Sequence, residues 1–439
     1  MTRRRLLVAA LALAALAGLA RAGSTAAPAR HLVLISIDAL RPEFYLDEAF
    51  PAPALRSLVR AGSHARAVVP VFPSVTYPGH GAIVTGTRPA KHGVLFNVIW
   101  SPAGGRSRWY ELATDLRVPA LWDAARAAGL TTAAVSWPST LGASIDWVLP
   151  ERDYYQRPEP LVVLRQAVTP GLLEGLRITP QAAMFKDVAQ WDDFLASVAA
   201  AIIRTHRPHL LLLHLVEADS VQHRKGRDAP EVKGAVGRVD GHVGALMKAL
   251  RDAGIADQTA VIVTGDHGFQ DAGRTVEVNE ILARAGFGGC PWVGADWRAT
   301  AHATGGSAGV FLRDGADAAA AEAVLRREAQ GRYTVIPRRE LDELGAMTGA
   351  AFAVEAAPGY AIGGSCGRGV ETSSRAGVHG YLPSRPSMST GFVAAGAGVR
   401  AGVVMERIGL VDVAPTAGRL LGVSMAGTDG RALDEILKR

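Results

Sequence analysis

The chain reads as an α/β fold: a mostly parallel central sheet with helices on both faces, plus a smaller inserted lobe. Three observations predict it. Apolar runs at 32–37, 210–216 and 261–264 are continuous rather than alternating, as expected of strands buried on both faces. Segments with helical apolar spacing separate them, the alternation that builds parallel sheets. Each run also delivers polar side chains at its carboxyl end: Asp38 after the first, Asp219 and His223 just beyond the second, Asp266 and His267 after the third. In open α/β sheets the crevice beyond the carboxyl ends of strands is where sites form.

The elements follow in order. Residues 79–84, behind the rigid Pro73 and Pro78, read as a helix start. The helical stretch 119–128 stops at Gly129, a C′ glycine, and 131–137 is the next strand. Residues 138–205 are rich in proline, tryptophan and tyrosine, with a helix expected only at 190–205; they are expected to form a cap beside the site. At 228–231, Asp-Ala-Pro-Glu reads as a helix start with Asp228 capping and proline early. Val232, Val236, Val239, Val243, Met247 and Leu250 then recur at helical spacing and should face the sheet. Gly254 precedes the strand that leads to Asp266. Residues 271–375, rich in glycine and alanine, form the expected lobe, with a strand at 307–312 and a helix at 318–328 capped by Asp317.

The first 22 residues are set apart from the domain at 29–439. Arg3, Arg4 and Arg5 precede an apolar run to Ala20, and Ala20-Arg21-Ala22 is a small-x-small cleavage pattern, so this is a secretory signal peptide rather than a retained membrane anchor. The expected location is therefore periplasmic or secreted. The leader holds four arginines and no acid, which accounts for four of the six net positive charges and leaves +2. That balance gives no reason for a stable nucleic-acid partner. An apolar content of 49% supports a large core. The two cysteines, Cys290 and Cys366, lack Cys-x-x-Cys spacing and so form no thiolate metal site; they are either a disulfide or two buried thiols.

Asp38, Asp219, His223, Asp266, His267 and His379, the last in Gly-Val-His-Gly-Tyr at 377–381, make three carboxylates and three imidazoles. Each alone reads as a cap, turn or surface residue. Together they read as a hydrolytic site with two metals; oxygen and imidazole donors without thiolate suit zinc at a catalytic site, and manganese or iron also fits them. Thr76, in Pro-Ser-Val-Thr-Tyr-Pro-Gly-His at 73–80, is the candidate nucleophile, because a helix amino terminus favours a phosphoryl oxygen and a metal would activate the hydroxyl. Asn97 is a candidate phosphate donor. Tyr77, Trp100, Tyr154 and Tyr155 are candidates for an apolar pocket, with most weight on Tyr77.

At these residues the chain resembles the nucleotide pyrophosphatase/phosphodiesterase (type I phosphodiesterase) family of the alkaline phosphatase superfamily. The motifs are Ile-Asp-Ala-Leu-Arg at 37–41, Pro-x-x-Thr-x-Pro-x-His around Thr76, Thr-Gly-x-x-Pro-x-x-His-Gly leading to Asn97, Asp219-x-x-x-His223, Asp-His-Gly and Gly-x-His-Gly-Tyr. The resemblance implies an alkaline-phosphatase-like fold and two Zn2+ per chain. One would be held by Asp219, His223 and His379; the other by Asp38, Asp266 and His267, with Thr76 as its reactive ligand. It further implies a covalent phosphothreonine intermediate, Asn97 as phosphate donor and Tyr77 stacking on a base. Gly79 departs from relatives that carry asparagine there, which bears on substrate preference.

The expected substrate is a small phosphodiester or nucleotide pyrophosphate. The alternatives are a phosphomonoesterase or a phosphonate hydrolase on the same core. Monoesterases of the resembling branch use a Lys-x-Arg pair, and 137–143 holds no lysine or arginine. A sulfatase would need Cys/Ser-x-Pro-x-Arg, which the nucleophile segment lacks. The sequence selects neither monomer nor dimer.

Overall fold

The computed structural model describes residues 29–99, 108–154, 157–288, 290, 297–313, 315–373 and 376–438. The expected signal peptide, Trp100 and Tyr155 lie outside them. In chain order the strands are β1 (His31–Ile37), β2 (Ser63–Val69), the short pair β3 (Val98–Ile99) and β4 (Arg108–Trp109), β5 (Thr132–Val135), β6 (Trp147–Leu149), β7 (Leu210–Leu215) and β8 (Thr259–Thr264). Then come β9 (Gln270–Glu277), β10 (Ala299–Ala303), β11 (Ser307–Leu312), β12 (Tyr333–Pro337), β13 (Phe352–Ala356), β14 (Gly359–Gly363), β15 (Glu371–Ser373) and β16 (Gly377–Val378). The last are β17 (Thr390–Gly396), β18 (Val404–Met405) and β19 (Ile408–Gly409).

The central sheet runs β18-β2-β17-β8-β1-β7-β5-β6, with β19 beside β2. β1 pairs parallel with both β7 and β8, and β5 pairs parallel with β6 and β7; β17 is antiparallel to β8 and β2. Every residue of β1, β7 and β8 is buried. Alternate side chains serve two cores. Val33, Ile35 and Ile37 pack with the helices Pro53–Ala61, Val188–His206 and Pro230–Asp252. Leu32 and Leu34 pack with the helices Thr76–Thr85, Leu121–Ala127 and Val413–Leu421. The continuous apolar runs are thus explained by two covered faces.

Because Ser36 stands level with both His214 and Thr264, the three strands end together. This register carries Asp38, Asp219 and Asp266 to the carboxyl ends of three neighbouring strands.

Between β8 and β17, β10-β11-β13-β12 form an antiparallel sheet, and β14-β9-β15, with β16 on β9, form a mixed one in which β14 runs parallel to β9. Val276, Leu282, Leu325 and Phe352 share a core there, separate from the main two. The strand at 307–312 and the helix Ala318–Glu328 occur as read from sequence, and Asp317 accepts from Ala320 N at 3.0 Å. Cys290 and Cys366 form a disulfide.

Three local expectations are corrected. Asp228 does not cap the helix Pro230–Asp252; its carboxylate pairs with Arg41 and Arg227, and the cap position is Ala229, which makes no side-chain bond. Within 138–205, the helices Pro160–Ala167 and Leu172–Gly175 join Val188–His206, and β6 extends the central sheet. Tyr154 packs inward: it is 0% exposed, donates to Pro150 O at 2.9 Å and lies against Trp191.

Candidate active site

The six candidate ligands converge. Asp38 follows β1, and its amide is held by Leu215 O at 2.8 Å. Asp266 follows β8, and its Oδ1 accepts from Ala39 N at 3.1 Å. His267 Nε2 lies 3.4 Å from Asp38 and 3.3 Å from Asp266. On the other side, Asp219 Oδ1 lies 3.5 Å from His223 Nε2 and 3.7 Å from His379 Nε2. The His267 and His379 rings stack with centroids 3.7 Å apart, so the two groups abut, and His267 is within reach of Asp219 as well.

The protonation pattern follows from the hydrogen bonds. His223 Nδ1 faces Gly377 O at 2.9 Å, His267 Nδ1 faces Gly268 O at 3.1 Å and His379 Nδ1 faces Ser74 O at 3.1 Å. A carbonyl only accepts, so each Nδ1 carries the hydrogen and each Nε2 presents a lone pair to the centre. His223 Nε2 and His379 Nε2 then oppose each other at 3.1 Å. Asp38 Oδ1, Asp219 Oδ1, Asp266 Oδ2 and His267 Nε2 are buried with no hydrogen-bond partner. Burial, Asp266 and Asp219 push the Asp38 carboxyl well above its ordinary range. Converging lone pairs, crowded acids and orphaned buried oxygens fit divalent cations, whose charge would satisfy all three.

Thr76 is the first residue of the helix Thr76–Thr85 and lines the same cleft, of about 870 Å³, as Asp38, Asp219, His223 and His379. The Tyr77 amide donates to Asn97 Oδ1 at 2.9 Å. This fixes the Asn97 amide with its Nδ2 hydrogens free for another acceptor. Tyr77 is 1% exposed, its ring 5.4 Å from Trp109, and both line the cleft. Gly79 packs against a candidate ligand: a Cβ there would sit 2.9 Å from Asp266 Cβ. The departure from asparagine therefore bears on the room around the Asp266 ligand.

Sequence reasoning missed a supporting layer. His214, inside β7, bridges Glu151 Oε2 at 2.7 Å and Asp38 Oδ2 at 3.2 Å. Burial opposes its charge, but the two carboxylates hold its pKa well above the ordinary imidazole value. His80 donates to Thr76 O at 2.8 Å and lies 3.7 Å from Asp266; burial, then His214, lower its pKa to about 3. Asp192 accepts from Val216 N and Glu217 N, anchoring the start of the helix that carries Asp219 and His223. A histidine inside an otherwise apolar strand was the available signal for His214. Asp192, in an apolar helix, offered a similar one.

The family model described as type I phosphodiesterase / nucleotide pyrophosphatase matches residues 32–382. The human ectonucleotide pyrophosphatase/phosphodiesterase family member 1 is 26% identical over 249 residues, covering 54% of this chain and 23% of that protein. The human family member 7 is 28% identical over 263 residues, covering 57% and 51%. This chain thus aligns with about a quarter to a half of those relatives. The solved human ectonucleotide pyrophosphatase/phosphodiesterase 5 has the same fold, with a TM-score of 0.71 at 20% identity over 93% of this chain and 100% of that one. An inactive threonine-to-alanine form of the murine protein, in complex with AMP, gives 0.70 at 19% identity with the same coverage.

Proposed function

The chain belongs to the type I phosphodiesterase / nucleotide pyrophosphatase family, and on that footing we propose that it is an exported hydrolase of phosphodiester or nucleotide pyrophosphate bonds. One observation carries this reading: a threonine at a helix amino terminus shares a cleft with converging, unsatisfied buried metal-type ligands. Two Zn2+ ions, one held by Asp219, His223 and His379 and the other by Asp38, Asp266, His267 and Thr76, would supply Lewis-acid stabilisation of phosphoryl charge and a more acidic threonine hydroxyl.

The chain's own groups do the rest. Thr76 Oγ1 attacks phosphorus, its proton passing to solvent, as the bond to the leaving oxygen breaks. Water later cleaves the phosphothreonine, returning the Thr76 hydroxyl and releasing the phosphoryl product. Asn97, with Oδ1 engaged by the Tyr77 amide, offers Nδ2 to a non-bridging oxygen. His80 braces the nucleophile's backbone. His214, fixed by Glu151, holds the Asp38 carboxylate in place. AMP in the murine relative supports a nucleotide substrate, and that protein's inactive threonine-to-alanine form supports the role of Thr76. The leader at 1–22 and the disulfide support export. The unit spans 29–439, with 138–205 beside the cleft and 271–375 as the inserted lobe.

The test compares bis(p-nitrophenyl) phosphate with p-nitrophenyl phosphate on zinc-loaded protein. Preference for the diester, lost about a thousandfold in Thr76→Ala at unchanged zinc content, is expected. A preference for the monoester, or full turnover in Thr76→Ala, rejects the reading.

A further inference from the structure

Residues 364–370 form a loop on the rim of the cleft, and it is unusually well tied down. Asn279 Nδ2 donates to Gly364 O at 2.9 Å, Ser365 N donates to Glu277 Oε2 at 2.7 Å, and Gly367 N donates to Glu280 Oε2 at 2.7 Å. Thr372 Oγ1, just beyond, donates to Glu277 Oε1 at 3.0 Å, and Cys366 is bonded to Cys290. From this clamped loop Arg368 lines the cleft that holds Thr76 and the ligands. Glu277, the nearby lining acid, is buried with both oxygens engaged by the loop and Thr372. Among the described residues Arg368 has no ion-pair partner, and the same is true of Arg224 and Lys186 on the cleft wall.

An exposed arginine on a free loop costs side-chain and backbone entropy to fix around a ligand. Here the backbone part is already met by three hydrogen bonds and a disulfide. A guanidinium held this way is suited to phosphate oxygens through paired N–H groups. We propose that Arg368 is a specificity-determining residue that binds a phosphate beyond the one attacked, so that the preferred substrate class is a nucleoside polyphosphate rather than a simple diester. This rests on the diesterase reading above and selects between its two substrate classes. The disulfide contributes by holding the loop in register.

The experiment measures kcat/KM for ATP, as release of AMP, and for bis(p-nitrophenyl) phosphate. It uses the zinc-loaded wild type, Arg368→Ala, Arg368→Lys and the double variant Cys290→Ser/Cys366→Ser. For Arg368→Ala the value for ATP should fall about tenfold, the loss of one charge-assisted contact, with less than a twofold change for the diester. Arg368→Lys should recover part of the loss, and the cysteine double variant should lose ATP selectively. Equal effects on both substrates, or none, overturn the role of Arg368, as does a wild type that cleaves the diester but not ATP. A wild type that cleaves neither overturns the diesterase reading itself.

Discussion

Each ligand imidazole here is oriented by a backbone carbonyl rather than by another side chain: His223 by Gly377, His267 by Gly268 and His379 by Ser74. The choice matters because a carbonyl cannot give up a proton, so the tautomer is set before any cation binds. Space around the carboxylates is equally constrained. Gly79 packs against Asp266, with 2.9 Å between a Cβ at 79 and Asp266 Cβ and 3.2 Å to the Asp266 carbonyl oxygen. Gly79→Asn should therefore displace Asp266 and lower bound zinc, measured per chain after dialysis, while Gly79→Ala should do so less. Zinc retained in full by Gly79→Asn would contradict the packing argument. Glu151→Gln, which weakens the hold of His214 on Asp38, should lower kcat by about tenfold or more with KM little changed, a result steady-state kinetics can check.

At the scale of elements, the helix Glu217–Lys225 carries two ligands and depends on a carboxylate from another helix. Asp192 is 0% exposed and accepts from the amides of Val216 and Glu217. Burial raises its pKa to about 7, against the lowering effect of those two amides. The folded chain then keeps a proton that the unfolded chain, near the ordinary aspartate value, has released. Its contribution to stability falls as pH rises from about 4 to about 7 and is flat above that. In Asp192→Asn that dependence should disappear, so the difference in Tm between wild type and variant should shrink across this window. A difference that stays constant with pH counts against the assignment. Asp192→Ala should cost on the order of 2 kcal/mol through unpaired buried amides and should also lower zinc content.

Across the whole molecule, the site joins distant parts of the chain. Asp38 and Asp266 follow adjacent strands, Asp219 lies beyond the strand on the other side, and His379 arrives only after the strands β9 to β16 of the two smaller sheets. Metal ions bound there would link the central sheet to the end of β16 and offset the repulsion among Asp38, Asp219 and Asp266. Chelation should lower Tm by several degrees and zinc should restore it, read by calorimetry. A Tm indifferent to chelator would show that the ligands' mutual repulsion is met in some other way.

The sequence by itself determined the elements and their polar ends. Largely apolar, fully buried strands, a capped helix at Ala318–Glu328 and acids placed at strand exits are local consequences of burial and backbone geometry. Tyr154 misled because an aromatic near a proline-rich stretch looks the same whether it packs inward or faces a cleft. Asp228 misled because a capping acid and an ion-pairing acid share one local pattern, and Arg41 lies 187 residues away. Only the tertiary structure decided the register that levels three strand ends, the His214 bridge between Glu151 and Asp38, and the placing of Arg368 at the cleft. The reason is physical. Periodicity and capping are set within a turn or two of chain, whereas charge pairing and access depend on which distant segments are brought within a few ångströms.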